Sequence, residues 1–145
     1  MLKPDFFIVG APKCGTTAMY TYLQAHPDIF MSEVKEPYYF CSDLGFHRFR
    51  NEQEYLKLFS VASPQQRIGE ASTWYLYSSQ AAAAIHAFNT DARIIVMLRN
   101  PVDMMYSLYS HFLYIGSEET DSFEAALAAE EERKHGNCIP EGVEQ

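Results

Sequence analysis

Residues Phe6 to Leu23 read FFIVGAPKCGTTAMYTYL, and the two ends of this stretch follow different periods. Phe6 to Val9 is an unbroken apolar run of aromatic and β-branched residues that stops at Gly10, the pattern of a strand buried on both faces in a parallel sheet. From Thr16 onward Met19, Tyr22 and Leu23 recur at spacings of three and four, which predicts a helix ended by His26-Pro27. A strand therefore feeds a helix through a turn bounded by Gly10 and Gly15.

The same succession returns at Arg93 to Leu98, RIIVML, followed by Arg99-Asn100-Pro101 and a long helical pattern that begins near Pro101. Between the two copies, Asn51 caps a short helix through about Phe59, Arg67 to Ala71 forms a second short strand, and the alanine-rich Ser78 to Phe88 is helical. Residues 28 to 50, rich in aromatics and holding Pro37 and Gly45, show no period. Asp121 or Ser122 opens a last helix, SFEAALAAEEERK, whose charged end reads as a solvated face. Three strands alternating with helices predict an α/β domain with a parallel sheet and right-handed crossovers. With neither repeats nor a linker, residues 1–145 read as one domain. A three-stranded sheet leaves edges unpaired, so the expected fold is incomplete at the C-terminus, the first part of a larger domain.

The 145 residues are 48% hydrophobic and 14% aromatic, enough for a real core. Eleven basic against nineteen acidic residues give a net charge of −8, which argues against duplex nucleic acid or an anionic membrane as partner. Any anion site must be local. Cys14, Cys41 and Cys138 are odd in number and lack metal-type spacing, so a reducing, cytoplasmic setting is expected. The apolar stretch at Phe6 to Val9 is too short for a signal segment or a membrane span.

Gly10-Ala11-Pro12-Lys13-Cys14-Gly15-Thr16-Thr17 has the chemistry of a phosphate cradle: free backbone N–H groups and a helix dipole at the helix start, a mobile positive charge on Lys13, and hydroxyl donors on Thr16 and Thr17. The alternative is an ordinary turn. In the nucleoside triphosphatase pattern GxxxxGK[ST], Gly10 and Gly15 have the right spacing, but Thr16 takes the lysine position and the lysine stands at 13. The strand RIIVML ends in Arg99 rather than an aspartate for magnesium, so no metal is expected and a magnesium-dependent kinase is the weaker reading.

PKCGTT after FFIVG resembles the 5′-phosphosulfate loop of sulfotransferases that use 3′-phosphoadenosine 5′-phosphosulfate (PAPS), and RIIVMLRNPVDMMYSLYSH resembles their 3′-phosphate segment. The resemblance runs from about Asp5 to near Lys134 and is closer to the bacterial and glycosaminoglycan-type branch than to the small-phenol branch. It implies a P-loop-like three-layer fold around a parallel sheet, PAPS as donor, and a hydroxyl or amine on a small-molecule or carbohydrate acceptor. Lys13, Cys14, Gly15, Thr16 and Thr17 then surround the 5′-phosphosulfate, with Cys14 in the variable slot, and Arg99 and Ser107 take the 3′-phosphate. Independently, Arg99 stands at the carboxyl end of a strand, where open sheets bind ligands, and a guanidinium fork suits a terminal phosphate. A surface ion pair for Arg99 and an inert helical role for Ser107 are the alternatives.

Sulfuryl transfer needs a base for the acceptor proton and positive charge at the leaving phosphate. Lys13 suits the second role. The resemblance points to Glu36, in Val34-Lys35-Glu36-Pro37-Tyr38-Tyr39-Phe40, as the base. Partial desolvation by the neighbouring aromatics is expected to raise its pKa, with Lys35 opposing. A solvated loop glutamate is the alternative. His111 competes as base but follows the 3′-phosphate strand instead of preceding it. Glu70, in Gly69-Glu70-Ala71-Ser72, is a pocket candidate beside Trp74 and Tyr75, and Ala71 replaces a lysine of the glycosaminoglycan branch. The aromatics at 38 to 49 and 74 to 77 are better explained by packing than by an acceptor pocket. His26, His47, His86 and His135 match nothing.

The family's later glycine-rich element has no counterpart after Lys134. Two further readings stay open beside the PAPS-dependent enzyme: the kinase-like one, and a truncated nucleotide-binding or interaction module without catalysis, including a homodimer through the exposed sheet edge.

Overall fold

In the structure, a computed structural model describing residues 2–46 and 48–140, the apolar run forms strand β1 (Phe6–Gly10), buried along its whole length. It lies inside a parallel sheet with β2 (Ile29–Met31), β3 (Arg67–Ala71) and β4 (Arg93–Val96), in the order β2-β3-β1-β4. Phe6 is opposite Gly69 on one side and Arg93 on the other. Gly69 has a physical reason to be glycine, because a Cβ there would stand 2.2 Å from the Phe6 ring.

The alternation of β1 divides the core. Phe7 and Val9 face a cluster with Phe40, Tyr55, Leu56, Phe59, Ile68 and Ile85. Phe6 and Ile8 face Tyr20, Met31 and Ala71. Helix α1 (Thr16–Gln24) supplies Tyr20 to one face, and α2 (Glu52–Leu56) and α3 (Ala81–Phe88) cover the other, giving the expected three layers. The caps follow local chemistry. The Asn51 side chain accepts from the Glu54 N–H at 2.9 Å, and Ser78 Oγ accepts from the Ala81 N–H at 3.0 Å.

The sheet corrects two expectations. It has four strands, not three, because Ile29–Met31 pairs with β3 from inside the segment read as irregular. Three residues directly after a His-Pro stop carry no detectable period. The strand exists because Arg67 donates its N–H to Asp28 O at 2.8 Å and Ser32 donates its N–H to Gly69 O at 3.1 Å. Secondly, the strand expected over Arg93 to Leu98 is shorter: β4 ends at Val96, and it has a neighbour on one side only among the described residues. Ile94 is 50% and Val96 45% exposed. Pairing with β1 continues past the strand, since Met97 donates its N–H to Gly10 O and Ala11 donates its N–H to Met97 O, both at 2.8 Å.

The chain divides into two compact units, the first ending at Leu98 and the second beginning at Arg99. In the second, α4 (Pro101–Ile115) starts at Asn100, whose side chain accepts from the Val102 N–H at 3.0 Å, and closes on Gly116 in the left-handed region. The single helix expected from Asp121 or Ser122 is two: α5 (Phe123–Ala128), capped by Ser122, and α6 (Glu130–Lys134). Lys134 pairs with Glu130 and Glu131 on an exposed face. Arg133, however, makes a two-pronged bond to Glu118 at 2.6 and 2.9 Å and donates through Nε to Cys138 O. Among the described residues no helix is long and apolar enough to cross a membrane.

The Arg133 guanidinium and the backbone N–H groups of Glu119 and Thr120 hold the buried Glu118 carboxyl down at about 2. A lowered folded-state pKa adds stability above the unfolded value and loses it as pH falls through the folded one. Arg133→Ala is expected to cost about 2 kcal/mol at neutral pH. Thermal melts of variant and wild type should converge as pH falls from 4.5 to about 2; a pH-independent gap would show that packing, not the ion pair, is lost.

Candidate functional site

Where β1 ends, the chain turns sharply. Gly10 has φ 145° and passes so close to the end of β3 that a Cβ on it would lie 2.6 Å from Thr73 O. Lys13 and Gly15 are both in the left-handed region, at φ 60° and 82°, and Cys14 donates its N–H to Ala11 O at 3.3 Å. This turn delivers Gly15 as the N-cap of α1, with no side chain accepting from the first N–H groups. The opening N–H groups of a helix have no carbonyl four residues back, so they and the helix dipole present positive potential to the loop. Thr16 is buried at 4% exposure, Lys13 and Cys14 are half-buried, and Gly15 and Thr17 are exposed. The structure therefore brings Lys13 to Thr17 together around one helix start at the carboxyl end of the sheet, a geometry suited to a phosphate-like anion.

Glu36 reaches the same end of the sheet from the β2–α2 segment. Its N–H donates to Ala71 O at 2.9 Å. One carboxylate oxygen accepts from the Thr73 N–H at 2.9 Å and the Thr73 hydroxyl at 3.0 Å, and the other accepts from the Lys35 ammonium. Thr73 thus joins Glu36 to the start of the loop, since its carbonyl is the group that Gly10 approaches. Burial raises the Glu36 pKa, but the bonds from Lys35, Tyr38 and Thr73 outweigh it and the net shift is downward. The expected rise is corrected: three donors compensate the partial desolvation, and Glu36 is ionised at neutral pH.

Glu70 is corrected as well. It lies in no open pocket: it is 0% exposed and ringed by hydroxyl groups. Tyr55 and Ser72 donate to separate oxygens, the latter at 2.6 Å, and Tyr75 adds a longer bond at 3.4 Å. Burial pushes its carboxyl up to about 7, and the three hydroxyl donors oppose that rise. Sealed from solvent, it is not placed to take a proton from a substrate. The aromatics behave as core: Tyr39 stacks on Tyr55 at 4.4 Å and Phe40 is buried against Phe7 and Tyr75. Tyr77 is the exception, 75% exposed beside Trp74.

Arg99, Ser107 and His111 belong to the second unit. Arg99 is exposed just before the α4 cap, Ser107 is half-buried on α4, and His111 is exposed one turn further on. Among the described residues neither Arg99 nor Ser107 engages its side chain in a hydrogen bond. His26 accepts from the Asp28 N–H, His135 pairs with Glu131, and His47 lies outside the described residues. No cluster of three or more metal-ligating side chains occurs among the described residues. Sequence reasoning missed Thr73, whose place directly after a strand's carboxyl end was the available signal.

The sulfotransferase domain family matches residues 3–141, and the chain belongs to that family. It is 31% identical to carbohydrate sulfotransferase 15 of Homo sapiens over 169 aligned positions, covering 87% of this chain and 30% of that protein. It is 34% identical over 113 positions to the bifunctional heparan sulfate N-deacetylase/N-sulfotransferase 3 of Homo sapiens, covering 74% of this chain and 13% of that protein. A crystal structure of a sulfotransferase from Alicyclobacillus acidocaldarius superposes with a TM-score of 0.84 at 37% identity, covering 94% of this chain and 60% of that one. The chain thus spans less than a third of these two curated relatives and three fifths of the solved neighbour.

Proposed function

We propose that this chain carries the donor-binding and proton-accepting part of a PAPS-dependent sulfotransferase that acts on a hydroxyl or amine of a small-molecule or carbohydrate acceptor. The observation that carries the reading is the anchoring of an ionised Glu36 on Thr73, the residue whose carbonyl abuts Gly10 at the start of the uncapped, lysine-bearing loop. The donor supplies an activated sulfuryl group: the bond from sulfur to the 5′-phosphate oxygen breaks as the acceptor oxygen or nitrogen bonds to sulfur. Glu36 takes the acceptor proton. Lys13 and the N–H groups of Thr16 and Thr17 hold the phosphate as its charge grows. Arg99 and Ser107 hold the 3′-phosphate. Carbohydrate acceptors are supported by the names of the two human relatives, and a cytoplasmic setting by the odd cysteine count.

The test is calorimetric titration with adenosine 3′,5′-bisphosphate and, in parallel, with ADP plus magnesium. Preference for the bisphosphate, weakened at least tenfold in Arg99→Ala, is expected. Preference for magnesium–ADP would overturn the reading in favour of a kinase-like enzyme, and a folded protein silent toward both would favour an interaction module.

A further inference from the structure

The buried Glu70 has no part in the transfer step, yet it is surrounded by three hydroxyl groups from separate places in the fold. Tyr55 comes from α2, Ser72 is the residue after β3 that opens the 3₁₀ turn Thr73–Leu76, and Tyr75 lies within that turn. All three hydroxyls donate to the Glu70 carboxylate, which when ionised only accepts hydrogen bonds, so each then turns its proton inward and its lone pairs outward. Two of these outward-facing oxygens meet the Glu36 segment. Ser72 Oγ accepts from the Tyr38 N–H at 3.1 Å, and Tyr75 Oη accepts from the Phe40 N–H at 3.3 Å. The segment needs such anchors. Glu36 and Tyr38 both sit in the left-handed region, at φ 60° and 55°, where a residue with a Cβ is strained and stays only if its surroundings hold it.

We propose that Glu70 is a positioning residue: by orienting the Ser72 and Tyr75 hydroxyls it clamps the Tyr38 and Phe40 amides and so keeps Glu36 against Thr73, beside the phosphate loop. The inference rests on the assignment of Glu36 as the base. A glutamine at 70 has nearly the same shape but brings an N–H₂ donor, which forces one hydroxyl to reverse and withdraws an acceptor from the segment. Misplacement of a catalytic group by a fraction of an ångström to about 1 Å costs on the order of 10- to 100-fold in rate.

The experiment compares Glu70→Gln and Ser72→Ala with wild type in the full chain, with two readouts. In hydrogen exchange, the amides of Tyr38 and Phe40 should lose at least tenfold protection in Glu70→Gln, and that of Tyr38 in Ser72→Ala, while β1 and β3 amides keep theirs. In sulfuryl transfer, kcat should fall at least tenfold in both, with the donor KM and the affinity for adenosine 3′,5′-bisphosphate within twofold of wild type. Unchanged exchange at Tyr38 and Phe40, or a freed segment with unchanged kcat, overturns the proposal. Protection lost throughout the sheet also overturns it, since Glu70 would then support the fold at large. If Glu70→Gln does not fold, Ser72→Ala, which keeps the carboxylate, decides between the outcomes. A wild type that neither binds the bisphosphate nor transfers a sulfuryl group overturns the functional reading instead, and the exchange result still decides whether Glu70 holds the segment.

Discussion

Lys13→Ala is expected to lower kcat by about 100- to 1000-fold, the loss seen when one preorganised donor to a developing oxyanion is removed. Lys13 is half-buried at φ 60° within the turn, and its ammonium takes part in no side-chain hydrogen bond among the described residues. The substitution should therefore leave the melting temperature within a few degrees of wild type. The damage is specific to the transition state, because negative charge on the 5′-phosphate grows as the bond to sulfur breaks. Adenosine 3′,5′-bisphosphate carries that charge in full, so its affinity should fall as well, whereas the donor KM should change far less than kcat. Lys13→Arg keeps the charge on a longer, planar group and should recover only part of the rate. Turnover of Lys13→Ala within a few-fold of wild type would refute the role.

Glu36→Gln should slow transfer by about 100- to 10 000-fold, the range a general base contributes, and leave bisphosphate binding intact. Glutamine keeps an oxygen for the Thr73 N–H and hydroxyl, so the loop geometry should survive. The pH dependence carries a sign. The Glu36 pKa is lowered below its ordinary 4.5, so the base stays ionised and the wild-type rate should not decline on its account between pH 7 and about 5. An acidic limb that is lost in Glu36→Gln but persists in Glu70→Gln would contradict this charge balance. An unchanged rate in the variant would move the search to His111, since Glu70 is sealed from substrate.

Comparison of the two acidic candidates shows how far local sequence reaches. Glu36 and Glu70 both lie among aromatics, which invites a raised pKa for Glu36 and a place in a pocket for Glu70. Their environments differ because of chain segments far away in sequence. Thr73, 37 residues from Glu36, supplies two donors that help bring one carboxyl down; burial drives the other up against Tyr55, 15 residues distant, and the two nearer hydroxyls of Ser72 and Tyr75. Likewise Arg133 belongs to a run of charges that reads as solvated, and only its bond to Glu118, 15 residues back, turns it inward.

The strand at Phe6 to Val9, the turn bounded by Gly10 and Gly15, the start of α1 at Thr16, the Asn51 cap, and helix starts near Pro101 and at Asp121 or Ser122 were determined by sequence alone. Each depends on side-chain period, glycine conformation or a cap bond spanning a few residues. Tertiary structure decided the existence of β2, the exposure of Ile94 and Val96 on β4, the ionised state of Glu36 and the burial of Glu70. Three residues of strand have no period of their own and form only against a neighbour, and the charge state of a carboxyl is set by whichever donors and apolar surfaces the folded chain brings to it.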